Sequence, residues 1–400
     1  MIVLGSGITP LGVIRVLARD RLQPIVAETS DPLLRRSRWF RAIPGATPLG
    51  TDTGLGTWLA QIPVDSAVLM PCSDSWAREV ASLEPALRTR FPASITTPDT
   101  LERFVDKGRF SALLRETDTP HPWTTCVDSA SDLATLPSDA FESAILKPRD
   151  SQRFMRRFGV KACHVRSREH AIEKWQMLID EGFPVVLQQY IKGPATNHFF
   201  VDGFIDRAGV LRAVFVRQRL RMYPLDFGNS TYMVSRRPED AAPAVASIAA
   251  LMRHVNYRGM FSAEFKLDER DGRFKLLEVN ARAWWYVEFA AYCGVDVCRM
   301  AYEDALGLAV PSVERYDVGR TLVYPYFDYF ACTELRRSGE LSGWRCLRSW
   351  LGARQPVFQL RDPVPGLRSF FGTARLFLGR RLRDRAAAML AMALQLFDLR

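Results

Sequence analysis

Near its start the chain carries short apolar blocks separated by stretches of helical periodicity. Met1–Leu4 runs into Gly5-Ser6-Gly7, Leu11–Ala18 repeats apolar residues at helical spacing, and Pro24–Glu28 and Ala67–Met70 are further apolar runs. Short strands alternating with helices predict a parallel sheet with crossover helices. The turn-rich segment Pro92–Pro98 closes this block.

The pattern then changes. Asp99–Arg115 reads as a helical stretch leading to the extended His121-Pro122-Trp123. Ser143–Lys147 and Pro184–Gln189 read as strands around a helix at Arg168–Glu181. Phe199–Ile205 and Val210–Arg217 flank Asp206-Arg207-Ala208-Gly209 as a hairpin, and Ala241–His254 is helical. Met260–Leu267 and Arg273–Val279 form a second hairpin around Asp271-Gly272, with apolar and charged residues alternating along both arms. Beyond Pro311 the chain is punctuated by Pro and Gly, rich in Arg, and ends in a helical run at Leu382–Leu399.

Composition narrows this picture. A chain of 400 residues, 48% hydrophobic and 24% charged, suits two or three packed units and excludes wholesale disorder and a polytopic membrane protein. The longest apolar stretch, Ala386–Phe397, is too short to span a bilayer. Seven cysteines without a C-x-x-C and five histidines without an H-E-x-x-H argue against a disulfide scaffold or a zinc site. With no cationic segment ahead of an apolar one at the start, the expectation is a reducing, cytoplasmic setting. Of the net charge of +10, residues 311–400 supply +7, so an anionic partner is expected for the tail rather than the body. Only seven of the 54 basic residues are Lys, so a lysine kept in this arginine-rich chain is a stronger candidate for a specific role.

Two places could carry chemistry. Gly5-Ser6-Gly7 with Gly12 sits at a strand-to-helix turn, and Glu28 lies where a ribose-binding acid could stand. However, Pro10 breaks the dinucleotide spacing, which favours a tight turn or small-anion pocket. The second is stronger. Glu278, Asn280 and Arg282 share one face of an extended strand, and pairing around Asp271-Gly272 can bring Glu264 across from them. Two carboxylates and an amide oxygen form a hard-oxygen set suited to Mg²⁺ carrying phosphates, and Arg282 suits a developing negative charge. A salt-bridged surface hairpin would account for Glu264 and Lys266 but not for Glu278 and Asn280 within LLEVNAR. Lys107, at a helix start, and Lys147, at a strand end, could reach phosphate oxygens. Arg217, Arg219 and Arg221 share a strand face. Arg219 is a candidate for a triphosphate or anionic substrate, with a solvated face as the plain alternative. Trp284-Trp285-Tyr286 is either pocket wall or core.

The ordered set Lys107, Ile145-Leu146-Lys147-Pro148, Val186–Gly193, Glu264 and Leu277–Arg282 resembles the ATP-grasp superfamily of carboxylate–amine ligases, in particular its D-aspartate ligase-like and carbamoyl-phosphate-synthase-like branch. The resemblance covers roughly residues 1–310 and rests on the order of five elements rather than on any one motif. It implies an α/β and α+β protein. A Rossmann-like pre-ATP-grasp unit would occupy 1–98, a small lid unit 99–189 and a metal-bearing unit 190–310, with a basic, partly helical extension at 311–400. It implies that Lys107 and Lys147 meet ATP phosphates, that Gln188, Gln189 and Ile191 meet adenine, and that Glu264, Glu278 and Asn280 hold two Mg²⁺ ions, Mn²⁺ being an alternative. Arg282 would steady an acyl-phosphate transition state, and Arg219, read from its strand face, stands beside it as a catalytic candidate. The partners implied are a small-molecule carboxylate and amine, without nucleic acid. The 350–400 tail offers a contact for an anionic membrane or acidic protein, and a dimer is one option for the oligomeric state.

Two departures stand out. The family's glycine-rich loop is replaced by Asp150–Gly159, with one glycine and three arginines, and Gln188 stands where a hinge glutamate often does. The first keeps alive a degenerate nucleotide-binding module. A nicotinamide or flavin oxidoreductase built on the Gly5–Gly7 turn is the other rival.

Overall fold

The computed structural model describes residues 1–27, 30–47, 49, 53–149 and 151–368, apart from the side chains at 151, 152, 155 and 156. Glu28 and the helical run at Leu382–Leu399 lie outside the described residues.

Three sheets carry the chain. β1 (Ile2–Leu4), β2 (Ile25–Val26) and β3 (Leu69–Pro71) form a parallel sheet with β1 in the centre. β4 (Thr124–Val127), β5 (Ala144–Pro148), β6 (Cys163–Val165) and β7 (Val185–Gln189) make an antiparallel sheet in the order β4-β7-β5-β6. β8 (His198–Ile205), β9 (Leu211–Tyr223), β10 (Asn229–Arg236), β11 (Gly259–Asp268), β12 (Arg273–Asn280) and β13 (Thr321–Val323) form the largest, ordered β12-β11-β8-β9-β10-β13. Both predicted hairpins are present, as β8/β9 and β11/β12.

The Gly5–Gly7 turn is structural. Gly5 and Gly7 have φ of +135° and +85°, where a Cβ is strained, and a Cβ on Gly5 would press on Cys72. The Gly7 N–H, at the start of the helix Ile8–Arg19, donates to the Asp31 carboxylate. A side chain of this protein thus occupies the position an anion would take.

The helical stretch expected over 99–115 is two helices, Pro98–Val105 and Lys107–Glu116. Asp106 breaks it because its extended backbone lets its carboxylate accept from Arg109 N at 2.8 Å, and that N-cap makes Lys107 the first helical residue. The glycine-poor stretch is also a helix, Ser151–Phe158. Its Phe154 is buried against Phe158 and Phe183, while Arg157 forks onto Glu181 (2.7 and 2.9 Å) and Arg153 donates to Gly182 O. These two arginines face the 181–183 loop, not a phosphate.

On the large sheet, one face packs Phe199, Val201, Phe261, Ala263 and Phe265 against the helix Ala242–His254. Along β12 and just past it the residues of that face are Phe274, Leu276, Val279 and Ala281. The alternation skips a residue because Leu277 is a bulge: Phe265 pairs with Leu276, but Glu264 pairs with Glu278. Counting strictly back from the turn would put Leu277 opposite Glu264 and send Glu278 into the core. The bulge returns Glu278 and Asn280 to the polar face.

The C-terminal extension is built into the body as far as it is described. β13 adds to the large sheet, and the helix Pro325–Arg337 lies on it. Asp328 is fully buried and accepts from Arg221, Thr231 and Trp350. Arg15, itself buried, donates to the Asp362 carboxylate (2.9 Å) and to the carbonyls of Pro356 and Val357 (2.8 Å each). Against the sequence expectation, Cys332 and Cys346 are joined in a disulfide. The bridge links the helices Pro325–Arg337 and Gly343–Trp350, which the scattered cysteine spacing gave no means of pairing. No helix among the described residues is long and apolar enough to cross a membrane.

Candidate active site

A cleft of about 800 Å³ opens between the polar face of the large sheet and the four-stranded sheet. Lys107, Lys147, Gln188, Gln189, Ile191, Arg219, Glu264, Glu278, Asn280 and Arg282 all line it. Residues up to 175 positions apart in sequence thus share one cleft because the antiparallel β5/β7 pair brings Lys147 and Gln188 up to the β12 strand of the β11/β12 hairpin.

The acidic centre is the directly opposed pair Glu264 and Glu278, with Asn280 opposite Ser262 one step on. Glu264 Oε1 accepts from His198 Nδ1 at 2.8 Å and lies 3.0 Å from Arg219 Nη2. Burial alone would raise this carboxyl; Arg219 and His198 outweigh it and hold Glu264 well below the usual carboxylate range. Burial and Arg219 push the His198 imidazole down to about 4. The ring is therefore neutral at pH 7, and since a carboxylate can only accept, its proton sits on Nδ1. Among the described residues, neither the Glu278 carboxylate nor the Asn280 amide takes a hydrogen bond or ion pair from another side chain.

Facing this centre are four lysines, Lys107, Lys147, Lys161 and Lys266, none of which forms an ion pair among the described residues, and several arginines held by acids. Burial, then Lys107, push the Lys147 ammonium down to about 8 against the pull of Glu278 and Glu264. Lys161, which the sequence reading missed, is likewise lowered by burial despite both glutamates, and donates to Asn229 Oδ1 at 2.6 Å. Lys266 donates to Ile191 O at 2.7 Å and lies over the Tyr190 ring, fixing the segment after β7. Arg219 donates to Ser230 Oγ at 2.8 Å, and Arg217 and Arg221 are buried on Asp202 and Asp328, so this face is not solvated. Arg282 is held by Asp74 (2.8 and 3.3 Å), tying the end of β12 to the helix after β3. The Gln188 amide points to Thr124 Oγ1 (2.9 Å).

These donors fit a hard divalent cation. Two carboxylates, one fixed in its ionised form, and an amide oxygen meet on adjoining strands below lysines suited to phosphate. Asp328, Cys332 and Cys346 also cluster, but with the sulfurs oxidised to a disulfide they are not a soft-metal site.

Comparison with known proteins agrees with this architecture. No protein-family model matches the chain. It is 24% identical over 248 residues to D-aspartate ligase of Enterococcus faecium, covering 59% of this chain and 58% of that one. The chain thus spans little more than half the length of that curated relative. In structure it is similar to N5-carboxyaminoimidazole synthetase of Staphylococcus aureus complexed with ADP (TM-score 0.61, 12% identity, 84% of this chain and 85% of that chain). It is also similar to L-amino acid ligase of Bacillus licheniformis (TM-score 0.58, 16% identity, 80% and 77%). The fold is the ATP-grasp fold.

Proposed function

We propose that the chain is an ATP-dependent carboxylate–amine ligase. The observation that carries this reading is the opposed pair Glu264/Glu278 with Asn280, facing Lys107 and Lys147 across one cleft. A carboxylate is a poor electrophile; transfer of the ATP γ-phosphoryl group to its oxygen releases ADP and turns that oxygen into a leaving group. Attack of an amine on the acyl carbon then forms the C–N bond and expels phosphate, and the proton released from the nitrogen passes to the departing phosphate or to water. Lys107 and Lys147 bind and orient the phosphates, while the segment Gln188–Ile191, buttressed by Lys266, holds the base. Glu264, Glu278 and Asn280 would hold Mg²⁺, two ions in the full reading, which supplies charge neutralisation at the transferred group. Arg219 and Arg282, both pre-oriented by acids, face the charge that develops at the reacting carboxylate. The substrates are a small-molecule acid and amine, and the 350–400 stretch is the reading's contact for an anionic surface.

The test is ADP release across a panel of acids and amines, with the variant Glu278→Gln. Turnover in the parent lost by at least about a hundredfold in the variant, at unchanged thermal stability, supports the ligase. Undiminished turnover in the variant contradicts it. A second reading, a nucleotide-binding module without turnover, is favoured by one feature: the Ser151–Phe158 helix turns Arg153 and Arg157 away from the cleft. ATP binding without ADP release over the whole panel selects that reading.

A further inference from the structure

The helix Gly343–Trp350 is oriented with its apolar stripe outward. Cys346, Ser349 and Trp350 turn to the body, where Cys346 is bridged to Cys332 and the other two bond Arg221 and Asp328. Trp344, Leu347 and Leu351, spaced i, i+3, i+7, lie on the other side and are 68%, 53% and 70% exposed. A helix that merely covered a core would present the reverse pattern. Arg345 and Arg348 flank the stripe, and the Arg336 guanidinium packs beside Gly343 at its start. Among the described residues, none of these three guanidinium groups meets an acid. Asp328, the acid beneath the helix, is consumed in a buried ion pair, and Glu340, in the turn before the helix, accepts from Ser338 rather than from these arginines.

This charge pattern selects the occupant. A second copy of the chain would set the same arginines against one another. The stretch 369–400 has six basic and two acidic residues, so as a cover for the stripe it too would add like charge. An anionic surface that accepts a protruding Trp and two leucines satisfies both features at once, because the indole and leucines enter the headgroup boundary while the arginines meet phosphates. We infer that the Trp344–Leu347–Leu351 stripe docks the protein on an anionic lipid bilayer. The proposal goes beyond the ligase reading and does not depend on it.

The experiment is flotation of the full chain with vesicles of phosphatidylcholine alone and with about 30 mol% phosphatidylglycerol, in low and high salt. Binding to the anionic vesicles only, weakened by salt, and cut about tenfold or more by Leu347→Glu/Leu351→Glu, supports the proposal. Nucleotide affinity and melting temperature unchanged in that double variant show that the fold is intact. Arg345→Gln/Arg348→Gln should lower binding to anionic vesicles and remove most of its salt dependence. No binding to anionic vesicles overturns the proposal, as does binding that the leucine variant leaves unchanged. A dimer that the leucine variant dissolves, or equal binding to a soluble acidic polypeptide, overturns it in favour of a protein partner.

Discussion

Lys147 offers a quantitative test of the phosphate site. In the folded protein its ammonium is lowered from 10.5 to about 8 by burial and by Lys107. An ATP triphosphate brought against it should restore the ordinary value, so binding must take up a proton. From these two values the uptake is about 0.1 proton at pH 7, about 0.5 at pH 8 and about 0.9 at pH 9. The same linkage weakens binding of a non-hydrolysable ATP analogue about tenfold between pH 7 and pH 9. Lys161, lowered for the same reason, acts with the same sign. The assay is isothermal titration at each pH in two buffers of different ionisation enthalpy, which reads proton uptake directly. Lys147→Arg keeps its charge throughout this range and should remove most of the pH dependence while retaining affinity. Stability of the free protein runs the other way. Between about 8 and 10.5 the unfolded chain binds more protons at this site than the folded one, so the site's contribution to stability rises with pH through that window. Uptake near zero at pH 9, or a full-sized pH dependence in Lys147→Arg, would refute the assignment.

Other expectations follow from the same geometry. Asp74→Asn releases Arg282 from its two-point clamp and should lower kcat about tenfold, with nucleotide affinity nearly unchanged, in steady-state and binding assays. His198→Phe removes one of the two partners holding Glu264; it should weaken metal-dependent nucleotide binding while His198→Asn, which keeps an N–H donor, recovers part of it. Arg15→Met strands the Asp362 carboxylate in the interior and should cost about 3–5 kcal/mol in chemical denaturation, showing that residues up to 362 belong to the folded body.

Much of this site could be read from the chain because strand periodicity is a local property. Glu278, Asn280 and Arg282 at alternate positions needed only an extended backbone to share a face, and both hairpins announced their turns. The position of Glu264 was harder. It depends on the bulge at Leu277, and only the skipped beat in the apolar series Phe274, Leu276, Val279, Ala281 betrays it. Lys161 and Lys266 were missed because neither stands in a motif. The signal that could have found them was their rarity: four of the seven lysines in this arginine-rich chain line the cleft. For Arg217, Arg219 and Arg221 a solvated face stayed open as an alternative, because charge alternation on a strand does not say which side is wet. The acids of Arg217 and Arg221, Asp202 and Asp328, come from other elements. The helical stretch expected over 99–115 did not itself show a break, although Lys107 after an acidic residue already read as a helix start; Asp106 ends one helix and caps the next. The Cys332–Cys346 bridge depends on two helices packing side by side, which spacing alone does not encode.

The central claim is that Glu264 and Glu278 together hold a divalent ion against a bound nucleotide, and Mn²⁺ electron paramagnetic resonance in the presence of ADP measures it most directly. Protein with ADP should immobilise Mn²⁺, Mg²⁺ should displace it, and Glu264→Gln/Glu278→Gln should leave the ion as free in solution as the Mn²⁺–ADP control. Immobilisation of Mn²⁺ by the double variant to the same extent as by the parent protein would contradict it.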